Sequence, residues 1–369
     1  MKDDDAAPGF WRRLLGRAKR TAALADAGPG GLARYRRERE LGRGSMGAVY
    51  LATDLQTGRP VALKLLALQR ECSPEDLVEL RQRFMREARA AGRLEHPDIP
   101  RVLDAGEMGD DAWIAMEYAR GQDLSGYTRP GRLLPIKEVL RVAIRVARVL
   151  GYAHSQGVVH RDIKPANVML DRENGGLKVM DFGIARVADS SRTRTGVVLG
   201  TPSFMSPEQL AGLSVDGRSD LYSLGVMLYQ LLTGQLPHQS ESMAGLLHQI
   251  ANQPAPDVRS HRPELPEALA QLLALALEKR PELRYASGEQ MAQDLEAVLA
   301  AGLAAGRAEQ SAQRQEVKAQ AQAVAASSEA GDSVDPYAQT VRLDPARTGQ
   351  NPPAPSPSRQ PSQRPDEPT

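Results

Sequence analysis

Apolar residues in this chain recur at two different periods in two successive stretches, and that order constrains the fold more than any other feature. Short runs such as Ala48-Val49-Tyr50-Leu51 and Val61-Ala62-Leu63-Lys64-Leu65-Leu66, parted by the turn sequence Thr57-Gly58-Arg59-Pro60, read as antiparallel strands. A helix is expected over roughly Pro74 to Leu94, stopped by His96-Pro97. From about Ile136 onward the apolar positions follow helical spacing, through Leu221–Leu232, Leu269–Leu277 and Met291–Leu299. A sheet followed by helices predicts an α+β chain of two unequal lobes with a cleft between them.

Composition divides the 369 residues into three zones. Residues 1–31 form a basic extension in which Phe10, Trp11, Leu14 and Leu15 recur at roughly helical spacing among Arg12, Arg13, Arg17, Lys19 and Arg20. Residues 32–300 carry the strand and helix patterns. Residues 301–369 begin Ala/Gln-rich and end Pro/Ser-rich; too few large apolar residues remain there to offset the entropy of ordering, so disorder is expected. Cys72 is the only cysteine, which excludes an intramolecular disulfide and fits a reducing, cytoplasmic compartment. The formal net charge of +1 gives no overall pull toward nucleic acid, and no apolar run reaches the length of about 18 residues that a membrane span needs.

Four motifs carry chemistry. Gly42-Arg43-Gly44-Ser45-Met46-Gly47 lets backbone amides approach phosphates closely, and the strand-like Val49-Tyr50-Leu51-Ala52 after it places the glycines in a hairpin rather than before a helix. That context disfavours a dinucleotide-binding site, and the absence of any Gly-Lys pair excludes a P-loop of the usual form. Lys64, on a strand, needs an anion if it faces inward; Glu87 is the carboxylate of choice, the alternative being two exposed, unrelated side chains. His160-Arg161-Asp162-Ile163-Lys164-Pro165-Ala166-Asn167 gathers a carboxylate to accept a hydroxyl proton, an ammonium to hold a phosphoryl group and an amide oxygen for a metal. Asp181-Phe182-Gly183, nineteen residues after Asp162, adds an anionic metal ligand. One carboxylate and one amide oxygen suit Mg²⁺, whose shell ATP phosphates and water would complete.

In this order the motifs resemble the eukaryotic-like (Hanks-type) protein serine/threonine kinases, and most of all the bacterial branch. The resemblance extends through Gly200-Thr201-Pro202-Ser203-Phe204-Met205-Ser206-Pro207-Glu208, Asp220 and Arg284. It implies ATP- and Mg²⁺-dependent phosphoryl transfer to protein hydroxyls, with Mn²⁺ as a substitute metal. Asp162, Lys64, Glu87, Lys164, Asn167 and Thr201 would then be catalytic, and Asn167 and Asp181 would hold the metal. Leu41, Gly42, Gly44, Gly47, Val49, Ala62, Lys64, Glu117, Ala119, Asp123 and Met169 would bind ATP: the glycines over the phosphates, Met116 as gatekeeper, Glu117 to Ala119 as the backbone hinge for adenine, Asp123 at the ribose. His160 would pack under Phe182, and Arg284 would pair with Glu208. Ser206 in place of alanine and Arg280 in place of aspartate are departures that leave the chemistry untouched. A pseudokinase would normally lack one of Lys64, Asp162, Asn167 or Asp181, and all four are present; a small-molecule phosphotransferase would lack the features between Asp181 and Glu208.

Protein substrates are the implied partners. Thr193 and Thr195 resemble an autophosphorylated pair of bacterial kinases. Thr340, in the apolar patch Tyr337-Ala338-Gln339-Thr340-Val341-Arg342-Leu343, is a third phosphorylation candidate, presented to a phosphothreonine-reading partner. For residues 9–25 three outcomes stand side by side: peripheral contact with an anionic membrane, docking on the kinase itself, or an inert leader.

Overall fold

The computed structural model describes residues 31–44, 47–66, 82, 84–86, 88–109, 111–182 and 202–302. Five antiparallel strands build the first lobe: β1 (Tyr35–Gly44), β2 (Gly47–Asp54), β3 (Pro60–Leu66), β4 (Val102–Met108) and β5 (Asp111–Glu117), in the order β1-β2-β3-β5-β4. The central strands β3 and β5 are apolar on both faces because both faces are covered. Alternation then sorts the residues. Val61, Leu63 and Leu65 join Tyr35, Ala52, Trp113 and Ala115 in one cluster; Ala62 and Leu66 join Val49, Ile114 and Met116 in another, together with Phe84 and Ala88. Successive side chains point to opposite faces of a strand, so Lys64 shares a face with Ala62 and Leu66. Phe84 and Ala88 belong to the helical residues 84–86 and 88–91, where the sequence predicts a helix.

The second lobe is helical: α1 (Ile136–Ser155), α2 (Pro207–Leu210), α3 (Gly217–Thr233), α4 (Met243–Asn252), α5 (Glu267–Ala276) and α6 (288–302). It also holds a small sheet of β6 (Gln122–Asp123), β7 (Val168–Asp171) and β8 (Gly176–Val179). Helix α3 is the centre of this lobe, buried continuously from Ser219 to Tyr229. A helix apolar all round is one with protein on every side. Asp216 caps its start by accepting the Arg218 amide, and Gly234 ends it in the left-handed conformation (φ 78°). No helix among the described residues is long and apolar enough to cross a membrane.

Helices α1 and α6 approach each other through glycine. A Cβ on Gly288 would lie 2.1 Å from the Ala147 carbonyl oxygen and 2.7 Å from the Gly151 amide nitrogen. Both are backbone atoms and cannot swing aside. Gly288→Ala is therefore expected to force the helices apart at a cost of about 1–3 kcal/mol. At about 2–4 °C per kcal/mol for a domain of this size, thermal denaturation resolves the change; an unaltered midpoint would contradict the close approach.

Candidate active site

The loop that follows α1 is held in an unusual conformation from below. Arg161 has φ 68°, a left-handed geometry that costs an L-residue roughly 1–2 kcal/mol. Asp220 on α3, with no exposed surface, offsets this by accepting the His160 amide on Oδ2 (2.8 Å) and the Arg161 amide on Oδ1 (2.7 Å). His154, at the end of α1, lies 2.8 Å from the same Oδ2 through Nε2. Pro165 then opens a short 3-10 turn (Pro165–Asn167), and Lys164 before it is extended, the conformation a following proline favours.

This scaffold brings Asp162, Lys164 and Asn167 together. Lys164 Nζ donates to both Asp162 carboxylate oxygens, at 2.8 and 2.7 Å. Asn167, 2% exposed, donates from Nδ2 to the Asp162 carbonyl (2.7 Å) and to its Oδ2 (2.9 Å). With the Asn167 NH₂ group committed, its Oδ1 is the atom left for a cation. The Asp162 side chain is 34% exposed, reachable from solvent while its position is fixed.

The chain emerging from β8 is tied to the same loop. The Met180 amide donates to the Asn167 carbonyl (2.7 Å), and His160 Nε2 lies 2.7 Å from the Met180 carbonyl. The His160 and Phe182 rings meet edge to face with centroids 4.5 Å apart, the packing the resemblance implies. Asp181 also has positive φ (64°) and reaches across the cleft: Lys64 Nζ donates to its Oδ1 at 2.8 Å. Burial alone would raise the Asp181 pKa. The charge and hydrogen bond of Lys64, with the charge of Lys164 adding to them, hold it below the usual carboxylate value, so the group is anionic. Asp181 and Asn167 each offer an oxygen, one carboxylate and one amide, a donor set that fits a hard divalent cation drawing its other ligands from a nucleotide and water.

Above this floor, Val49, Ala62, Met116 and Ala119 are buried and Leu41 and Met169 half-buried in one apolar cluster, where the sequence predicts the adenine pocket. The Glu117 side chain is engaged away from it, receiving Lys178 Nζ (2.9 Å) and the Arg101 amide (3.3 Å), so only its backbone is left for such a pocket. Gly42 faces Val49 across the β1–β2 hairpin, and Gly44 faces Gly47. A Cβ on Gly47 would fall 1.8 Å from the Leu65 carbonyl oxygen, so glycine is required there by β3 as well as by any phosphate. Asp123 is buried, and its Oδ1 already caps the turn Leu124–Tyr127 by accepting the Ser125 amide (2.8 Å). Glu87, Gly183, Thr193, Thr195, Thr201 and Thr340 lie outside the described residues, as do residues 1–30 and 303–369.

Two residues matter more to this geometry than the sequence reading allows. Ser206 is the N-cap of α2 and forms a capping box with Gln209. The resemblance singles out Asp220, but its backbone-clamping role depends on a contact about sixty residues away and is not read from the sequence. Beside them, Arg284 grips Glu208 through both guanidinium NH groups at 2.7 and 2.8 Å, as the resemblance implies. Arg280 is exposed and lies 3.9 Å from Glu282.

The fold and this arrangement of side chains define a protein kinase domain, and comparison with known proteins agrees. Residues 35–295 match the protein kinase domain family. Serine/threonine-protein kinase Pkn1 of Myxococcus xanthus is 43% identical over 260 residues, 69% of this chain and 36% of that protein. PknJ of Mycobacterium tuberculosis is 42% identical over 278 residues, 73% of this chain and 46% of that protein. The crystal structure of the Mycobacterium tuberculosis PknI kinase domain superposes with a TM-score of 0.60 at 34% identity, covering 75% of this chain and all of that domain. The chain belongs to the protein kinase family, in its bacterial eukaryotic-like serine/threonine branch. It spans half or less of the length of the curated relatives it matches first.

Proposed function

We propose that residues 32–300 form a domain that transfers the γ-phosphoryl group of ATP to serine and threonine hydroxyls of proteins, with Mg²⁺ or, in its place, Mn²⁺. The observation that carries this reading is the Asp162 carboxylate, half-open to solvent yet held by Lys164 and Asn167, beneath a cleft spanned by the Lys64–Asp181 pair. Asp162 orients the acceptor hydroxyl and receives its proton as that oxygen bonds to the γ-phosphorus. The bond from the γ-phosphorus to the bridging oxygen breaks, and ADP leaves. Lys164, already beside Asp162, follows the negative charge onto the transferring group, and Lys64 holds the α- and β-phosphates. When bound, the divalent cation neutralises phosphate charge; Asn167 and Asp181 are the residues that hold it. Leu41, Val49, Ala62 and Met169 enclose adenine, with the backbone of Glu117 and Ala119 along its edge. Gly42, Gly44 and Gly47 cover the phosphates, Asp123 meets the ribose, and Glu87 and Thr201 complete the catalytic set.

Protein substrates include the chain itself, at Thr193 and Thr195 and, for a phosphothreonine-reading partner, at Thr340; the setting is cytoplasmic, and for residues 9–25 peripheral membrane contact stands beside docking on the kinase itself and an inert leader. Little covalent chemistry falls to the protein in such a transfer, so positioning and charge dominate. The test compares γ-labelled ATP and a generic acceptor protein with wild type and Asp162→Asn. Loss of the base is expected to lower turnover at least about 100-fold with nucleotide binding retained. Equal rates would overturn the assignment.

A further inference from the structure

The peptide between Arg161 and Asp162 is one rigid plane with the Arg161 carbonyl on one edge and the Asp162 amide on the other. Its orientation sets where the Asp162 side chain starts. The amide edge is held by His160, whose Nδ1 accepts the Asp162 N–H at 3.2 Å while Nε2, carrying the ring proton, donates to the Met180 carbonyl. The carbonyl edge is held from outside the loop. Gln209 on α2, half-buried, donates from Nε2 to the Arg161 oxygen at 2.9 Å. Its other end, Oε1, accepts from the Ser206 amide at 3.0 Å and from the Ser206 hydroxyl at 3.1 Å.

We propose that Gln209 is a positioning residue for phosphoryl transfer, clamping the Arg161 carbonyl so that the strained backbone at Arg161 delivers Asp162 in register. This rests on the reading of Asp162 given above. Glutamine is suited to the task because it must donate at one end and accept at the other. A glutamate of the same length keeps the acceptor that completes the capping box with Ser206 and lacks, when ionised, the donor for Arg161. Asp220 restrains the amide side of Arg161, and Gln209 restrains the side facing Asp162. The two ties reach the loop from different helices, α3 and α2.

That division makes the role separable from a merely structural one. In the full chain, Gln209→Glu is expected to keep the melting midpoint of the wild type, because the helix cap survives. Its kcat is expected to fall on the order of 10-fold to 100-fold, the scale of a small displacement of a catalytic group, with KM for ATP unchanged. Protonation restores an O–H donor, so the ratio of variant to wild-type kcat should rise as pH is lowered from about 8 toward about 5, approaching the ordinary glutamate range. Gln209→Ala should show a comparable fall in kcat together with a lower midpoint. Wild-type kcat in Gln209→Glu, a pH-independent ratio, or losses in Gln209→Ala alone that track its midpoint would each overturn the proposal. Asp162→Asn measured alongside separates the two readings: if it is inactive and Gln209→Glu is normal, only the role of Gln209 fails. If Asp162→Asn is fully active, the reading of the loop fails and this role with it.

Discussion

Asp181→Ala is expected to abolish measurable phosphoryl transfer while leaving the domain folded. In the proposed reaction Asp181 and Asn167 supply the oxygens that hold the divalent cation, and Asp181 is the partner of Lys64 across the cleft. Charge stabilisation of a phosphoryl group by a bound divalent cation amounts to several kcal/mol. At 1.36 kcal/mol per tenfold, losing it costs at least about a thousandfold in turnover. Asp181 has φ 64°, a conformation aspartate and asparagine tolerate better than alanine does. Asp181→Asn therefore removes the charge without added backbone strain, and the same loss is expected from it. Turnover at saturating Mg²⁺, with thermal denaturation run in parallel, checks both variants; wild-type turnover in the asparagine variant would sink the assignment.

Arg284→Ala carries the largest expected effect on stability. Arg284 has no exposed side-chain surface, and Glu208 is 6% exposed. Besides Glu208, the guanidinium donates to the Glu278 carbonyl (2.6 Å) and the Lys279 carbonyl (2.8 Å) and lies over the Tyr222 ring at 4.9 Å. Removing it strands a carboxylate in the interior, a loss of about 3–5 kcal/mol. Unfolding by denaturant measures this directly, and a change below about 1 kcal/mol would mean that the pair behaves as a surface ion pair. The pH dependence has a definite sign. Burial raises the Glu208 pKa, but the hydrogen bonds from Arg284 and Ser219 outweigh it and hold the carboxyl below its ordinary value. A depressed folded-state pKa contributes stability above the unfolded value and loses it as pH falls through the folded one. Wild type should therefore lose this increment in acid, and Arg284→Ala should show a flatter acid limb.

What could be read from sequence divides by distance along the chain. Asp162, Lys164 and Asn167 lie within six residues, and the structure brings them into hydrogen-bonding contact. The face of β3 that carries Lys64 was equally legible, because strand alternation is local. Partners are another matter. Lys64 meets Asp181 from 117 residues away, whereas the expected partner, Glu87, falls outside the described residues. The Gln209–Arg161 and Asp220–His160 contacts span 48 and 60 residues and depend on how α2 and α3 pack under the loop. Ser206 read as a neutral departure since its role lies in a helix cap, which requires knowing where α2 begins. The two-residue strand β6 and the four-residue strands β7 and β8 are too short for any period to register.

The clamp from Asp220 has a mechanical consequence. It bolts the catalytic loop to the most deeply embedded helix of the second lobe, while Lys64 rides on the sheet of the first. In the proposed reaction, the half of the site that would receive the hydroxyl is thus fixed to α3, and the half that would grasp phosphate is fixed to β3. Any rocking of one lobe on the other changes the spacing between donor and acceptor without disturbing the internal alignment of either, as the jaws of a vice keep their shape while the gap between them varies.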